Sequence, residues 1–344
     1  MFRKSAIGAT LLAALLAPAL APVKAQQTRV QEHVEVRRVV VDVRVVDHRG
    51  DPILGLGADD FRVLVDGLPA ELEAVEWVSG AEPYAEGLAP EEAAATGGPV
   101  AAPGRLIVYF FQADFASVRL SGLMPMKARA IEMLSTLTPD DRVAVVSFDS
   151  HLKLRQDFTN EREKLTRAIH AAVLFGAEPD ILPGPFPSLA AAFDRDAAKR
   201  AAEPETGLLV LAKALQPLPG AKSVAYFGWG LGHLARPWVM MGRDYGAARV
   251  ALAKARASVF AIDVTQADFH DLEVGMQRVA ADTGGFYVKT NNFPGQAITR
   301  LEGAVAGHYV LVIVKPDRPS GEHLLSIGLT RTRGTVLAPA SYQD

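Results

Sequence analysis

The chain has 344 residues, 39 acidic against 36 basic side chains, eight histidines and no cysteine. Its mildly acidic balance argues against a nucleic-acid partner, and the lack of cysteine excludes a disulfide scaffold, thiolate metal sites and a cysteine nucleophile. The length is enough for two domains, each with its own core.

Arg3-Lys4, the apolar run from Ala6 to Ala21 and the small-residue pattern Val23-Lys24-Ala25 form the three parts of a secretory signal peptide over 1–25, cut before Gln26. The apolar part is short for a span and is broken by Pro18 and Pro22. The mature protein is therefore expected to be exported, periplasmic or secreted, with no transmembrane span after cleavage.

Residues 30–79 follow as strands. From Val34 to Asp47, Val39, Val41, Val43 and Val45 recur at period two. Phe61, Val63 and Val65 then alternate with Arg62, Leu64 and Asp66, and Asp66-Gly67 gives a hairpin signal before Leu72 to Val78. These strands form only half a β-sandwich. The other half is expected in 307–344, where Tyr309 to Val314 is a continuous apolar run, Leu325, Ile327 and Leu329 alternate, and Thr335 to Ala338 adds a short strand. Neither set covers a hydrophobic face alone. Between them, residues 80–104 turn to alanine, proline, glycine and glutamate and read as a disordered linker.

Residues 105–306 alternate strand and helix patterns, which predicts an α/β, Rossmann-like domain: a mostly parallel sheet with helices on both faces, inserted in the sandwich. Strands are expected at 106–111, 142–148, 223–227, 259–263 and 286–289, with Leu152 to Asp157 as a hairpin partner. Helices are expected near 124–137, 160–174, 208–215, 245–256, 272–283 and 295–306. An insertion at 175–206 carries Pro179, Pro183, Pro185, Pro187 and Pro204 around an alanine-rich piece, Leu189 to Ala202, read as a helix. A loop of that length is usually functional or disordered.

A series of short segments along the mature chain resembles the bacterial family of von Willebrand factor type A-related proteins of the acidobacterial type. They are Val41-Asp42-Val43, Gly55-Leu56-Gly57-Ala58-Asp59-Asp60-Phe61, Asp141 through Asp149, Pro219-Gly220-Ala221-Lys222-Ser223-Val224, Ala281-Asp282-Thr283-Gly284-Gly285 and Gly307-His308-Tyr309-Val310-Leu311. The resemblance implies a metal-ion-dependent adhesion site at the carboxyl ends of the sheet. It would take an Asp-x-Ser-x-Ser pattern from the first loop, threonine from the second and aspartate from the third, around magnesium.

In this chain those positions align with Gln112, Asp114 and Ala116, then Thr206, then Trp229. Gln112 offers one neutral oxygen, while Ala116 and the Trp229 indole offer no ligand, so the site reads as degenerate and no metal or other cofactor is expected. Asp114 also fits a capping role, and Trp229 fits either a buried anchor or an exposed contact.

No Gly-x-Ser-x-Gly elbow, Walker A loop or His-Glu-x-x-His helix occurs, and Gly228-x-Gly230-x-Gly232 meets His233 where a dinucleotide loop needs glycine. It reads as a flexible glycine turn. The histidines at 33, 48, 151, 170, 233, 270, 308 and 323 show no ligand spacing. The sequence thus points to an exported, non-enzymatic protein-interaction module, adhesive or scaffolding, that binds a protein partner in the cell envelope. Its expected contacts are Gln112, Asp114, Ser117, Asp149, Thr206, Trp229 and the 175–206 insertion. A metal-dependent adhesion module and a periplasmic hydrolase built from Asp114, Asp149 and His233 stay open as alternatives.

Overall fold

A computed structural model describes residues 38–79, 104–114, 116–291 and 294–343. The expected signal peptide, residues 30–37 and the linker up to residue 103 lie outside the described residues.

The amino-terminal strands are β1 (Arg38–Val46), β2 (Phe61–Val65), β3 (Leu68–Pro69) and β4 (Leu72–Val78). The α/β unit then runs β5 (Leu106–Gln112), α1 (Ser117–Met133), β6 (Arg142–Phe148), β7 (Leu152–Thr159), α2 (Arg162–Val173), α3 (Arg195–Arg200), α4 (Pro204–Leu215) and β8 (Lys222–Gly228). It continues through β9 (His233–Ala235), β10 (Trp238–Met240), α5 (Tyr245–Lys254), β11 (Ala257–Asp263), α6 (Glu273–Asp282), β12 (Tyr287–Lys289) and α7 (Pro294–Val305). The last strands are β13 (His308–Val314), β14 (Glu322–Leu329), β15 (Thr335–Leu337) and β16 (Ser341–Gln343).

The central sheet has the order β12-β11-β8-β5-β6-β7, with every pair parallel except the edge pair β6–β7. Every residue of β5, β8 and β11 is buried, which is why these strands read as apolar runs with little alternation. One face presents Val108, Phe110, Val224, Tyr226 and Val259 to α4, α5 and α6, and the other presents Ile107, Tyr109, Phe111, Phe227 and Phe260 to α1, α2 and α7. Helix α1 starts at Ser117, earlier than the expected Met124, and carries Pro125 within it. Its close approach to the sheet depends on Gly122, where a β-carbon would lie 1.7 Å from the Val264 carbonyl oxygen.

The terminal strands form two antiparallel sheets, β15-β1-β13-β4 and β16-β14-β2-β3. Each therefore mixes strands from both ends of the chain. Val41, Val43, Val45, Phe61, Val63, Val65, Tyr309, Leu311 and Leu325 belong to one apolar cluster drawn from both sheets. Within it the Tyr309 hydroxyl donates to the Ile53 carbonyl at 2.8 Å and accepts from the Leu56 amide at 3.1 Å.

The alternate positions of β1 do different work. Asp42 and Arg44, on the face opposite the valines, meet the amino ends of β8 and β11: Arg44 donates to Ser258 Oγ at 2.8 Å and Ser223 Oγ at 3.2 Å. Asp42 accepts from Arg256 at 2.9 and 2.5 Å and lies 3.4 Å from His308 Nε2. Arg249 adds bonds to Glu322 and, at 2.8 Å, to Ser341 Oγ. These contacts seat the terminal sheets at the amino edge of the parallel sheet, so its carboxyl edge faces away from them.

Besides α1, two elements differ from the sequence expectation. The stretch read as a flexible glycine turn leads into a two-stranded ribbon, β9–β10, entered through Gly232 at φ +84°. Of the helix expected over Leu189 to Ala202, only Arg195–Arg200 is helical, with Asp194 capping it through the Ala197 amide at 2.8 Å.

Candidate functional site

Strands β5, β8 and β11 deliver their carboxyl ends to the edge that the terminal sheets leave open. Gln112, the last residue of β5, was expected as a contact on that rim. It is instead 2% exposed, and its Oε1 accepts from the amides of Trp229 at 2.9 Å and Gly230 at 3.2 Å. It lies beneath the rim and ties the loop after β8 to β5. Gly228 leaves room for this, since a β-carbon there would stand 2.7 Å from the same oxygen.

Replacing Gln112 by leucine leaves two amides without an acceptor, a cost of about 1–3 kcal/mol for each one kept from water. Hydrogen exchange of Trp229 and Gly230 should speed up by at least about tenfold, because each 1.4 kcal/mol of lost protection is a factor of ten. Unchanged exchange would mean that the loop is held by something else.

Asp114 is satisfied within its own loop: Oδ1 accepts from the Ala116 amide at 2.7 Å, and Oδ2 pairs with Arg119. The Arg119 guanidinium in turn lies 3.4 Å from the centre of the half-buried Trp229 ring, a cation–π contact. Asp114, Arg119 and Trp229 thus form one connected surface unit, with Ser117 exposed at the start of α1. Thr206 donates to Asp244 Oδ2 at 2.8 Å.

Asp149 turns away into the β6–β7 hairpin, where both its oxygens are 2.6 Å from Lys153 Nζ. Burial pushes its carboxyl up, but Lys153 and Ser150 outweigh this and hold it below its ordinary value. A carboxylate already neutralised in this way is a poor rim contact.

The same partners decide the fit of the implied magnesium site. Gln112 has committed its amide oxygen to two backbone donors, Asp114 is neutralised by Arg119, Thr206 is bonded to Asp244, and Ala116 and Trp229 have no oxygen to give. Magnesium requires near-octahedral oxygen ligation. These residues do not fit it.

Two buried acids that the sequence reading passed over shape the surrounding loops. Glu205, 2% exposed, accepts from Gly232 at 2.5 Å and Gly242 at 3.4 Å, so it fastens both ends of the β9–β10 ribbon. In the sequence it is only an acid beside Pro204 at a helix start. Asp157 accepts from Ser188 Oγ and the Leu189 amide, both at 2.6 Å, and from the Gly184 and Ala190 amides at 3.3 and 3.2 Å. The 175–206 insertion is thereby folded onto β7.

A cavity of about 470 Å³ opens between the loops, lined by Val118, Arg119, Trp229, Leu234 and His270 among others. A second, of about 300 Å³, lies at Val239, Met240, Tyr245 and Val274. The ribbon contributes to both. One histidine does meet possible co-ligands: His270 stands 2.8 Å from Asp263 and close to Glu273.

No family model matches the sequence, and no curated protein matches it. Similar solved structures include a von Willebrand factor type A protein from Catenulispora acidiphila, at 10% identity and a TM-score of 0.41, over 83% of this chain and 74% of that one. BatB from Bacteroides thetaiotaomicron is similar at 13% identity and 0.39, over 59% of this chain and 99% of that one. The PilB minor pilin from Streptococcus sanguinis is similar at 13% and 0.35, over 59% of this chain and 60% of the pilin. The match thus spans less than two thirds of the pilin's length.

In class, the chain is a mixed α/β protein whose mostly parallel sheet is flanked by helices. Among the described residues no helix is long and apolar enough to cross a membrane.

Proposed function

We propose that this chain is an exported, non-enzymatic interaction module: a von Willebrand A-like domain of the acidobacterial type inserted in a β-sandwich. It captures a protein partner of the cell envelope at the carboxyl edge of the central sheet, without a metal at the degenerate adhesion site. The main support is the apolar surface at that edge. Val118 at 63%, Trp238 at 73% and Phe269 at 67% are exposed there, with Leu234 and Met240 also exposed. Large side chains concentrated on loops, around cavities and beside an Arg–Trp stack, have the composition of a protein interface.

Asp114, Ser117, Arg119, Trp229 and Trp238 form the contact surface in this reading, while Gln112 and Thr206 support it from below. Calorimetric titration with magnesium and manganese is expected to give no binding that depends on Asp114. Micromolar binding abolished by Asp114→Ala would sink the metal-free part. For the surface, crosslinking pull-down from the native envelope is expected to lose the partner on Trp238→Ala, since an exposed aromatic at the centre of an interface contributes about 2 kcal/mol or more. Equal capture by wild type, Trp238→Ala and Arg119→Ala would place the partner elsewhere.

A further inference from the structure

One cluster of ionisable side chains belongs neither to the partner surface nor to the clamps that seat the terminal sheets. Asp263, the last residue of β11, is 0% exposed, and Glu273, the first residue of α6, is buried. His270, on the intervening loop, completes a triad in which one ligand atom from each residue lies within 4.8 Å of the others. His270 Nε2 is 2.8 Å from Asp263 Oδ2.

We propose that Asp263, His270 and Glu273 bind a divalent transition-metal ion of the zinc class, through Asp263 Oδ2, His270 Nε2 and Glu273 Oε2, with the remaining position turned to the cavity. The site is distinct from the degenerate adhesion site and stands whether or not the partner surface is correct.

Donor chemistry is the first reason. An imidazole with two carboxylates suits zinc, whereas magnesium and calcium favour oxygen alone. Bond lengths agree as well: two ligand atoms each about 2.0–2.1 Å from one ion are about 3.3 Å apart in a tetrahedron, so the present 2.8 Å needs an opening of only about half an ångström.

Charge is the second. Two buried carboxylates face a single ammonium, Lys289, on Glu273. The second carboxylate, Asp263, meets the His270 imidazole, the Tyr287 hydroxyl and the Thr265 amide, so a bound divalent cation would give both buried acids a full counter-charge.

The surroundings complete the site. Asp263 Oδ1 accepts from the Thr265 amide at 2.9 Å, Tyr287 donates to Oδ2 at 2.6 Å, and Gln277 donates to Glu273 Oε1 at 3.3 Å. Burial and the Asp263 carboxylate push the Tyr287 phenol up, so it stays a neutral donor. Such outer-shell bonds orient ligands for a metal. Lys289 also reaches the Asp268 carbonyl, which gives it a place when the ion takes Glu273. His270 and Thr265 line the 470 Å³ cavity, so the ion has a route in.

The test titrates the tag-free full chain with zinc chloride by calorimetry and with cobalt(II) by visible absorption. About one equivalent is expected to bind, and because binding displaces protons from the ligands, more weakly in acid. His270→Gln, at a partly exposed position that should fold, is expected to weaken binding by at least about 100-fold, and Tyr287→Phe by about tenfold. Lys289→Met removes the competing ammonium and is expected to tighten it. Asp114→Ala is expected to leave it unchanged, which separates this site from the adhesion position. Absence of stoichiometric binding, equal binding by His270→Gln, or weaker binding by folded Lys289→Met would each overturn the assignment.

Discussion

Asp42→Ala is expected to destabilise the folded protein by about 3–5 kcal/mol, the cost of leaving a buried ion without its partner. Asp42 is 8% exposed and takes two bonds from Arg256, with His308 beside it. Arg44, buried on the same strand face, also gains from its charge. Urea unfolding of the variant should show the loss as a lower midpoint with little change in slope. A loss under about 1 kcal/mol, the range of an exposed pair, would contradict a dry clamp at this junction.

The acid limb of stability has the same origin. Burial pushes the Asp42 carboxyl up, but Arg256 and His308 outweigh it and hold it well below the usual carboxylate range. Asp141 is held at about 2: burial raises it, and Arg105 with the Thr138 amide lowers it further. A depressed folded value means that the stabilisation is complete above the unfolded value of about 3.9 and fades as pH falls towards the folded one. Acid unfolding should therefore set in below about pH 4, and Asp42→Asn should flatten that limb.

Asp157→Ala is expected to release the 175–206 insertion. The change strips the Ser188 hydroxyl and the Gly184, Leu189 and Ala190 amides of their shared acceptor, and each donor left unsatisfied in the interior costs about 1–3 kcal/mol. Part of that is recovered by admitting water, so the loss should be local before it is global. Limited proteolysis should cut the variant between residues 177 and 193 while β5 to β8 stay protected. Equal resistance of wild type and variant would show that Leu189 and Phe193, buried in the core, hold the segment without Asp157.

Asp157 also marks where sequence reading stops. The runs at 106–111, 142–148, 223–227 and 259–263 were legible because a parallel strand buried on both faces must be apolar throughout. The valines of β1 were legible because only one of its faces joins the apolar cluster. Helix α1 begins at Ser117, ahead of the expected start at Met124, and runs through Pro125. Nothing local identifies Asp157 or Glu205 as anchors: apart from the Phe158 amide beside Asp157, their partners lie 27 or more positions away, and all but the Ser188 hydroxyl are backbone amides, which leave no residue-type signal.

The position of Gln112 was visible as a departure from the adhesion pattern, but its role was not, since that depends on the amides of Trp229 and Gly230. Asp149 was legible as the end of a strand. Its sequestration by Lys153 follows from the hairpin register, in which Ser147 faces Lys153. His270 and Glu273 stand three apart in the sequence, yet their meeting with Asp263 needs the end of β11 and the start of α6 to converge.

By itself the sequence determined the alternation of strands and helices, the apolar character of the central strands and the side chains at positions 112, 116 and 229, a glutamine, an alanine and a tryptophan. Those are matters of periodicity and side-chain chemistry, both local. The tertiary structure alone decided which end of the sheet is covered, how the ribbon and the insertion are fastened, and which acids meet which bases. Each of these rests on contacts between residues far apart in the chain, which local patterns do not encode.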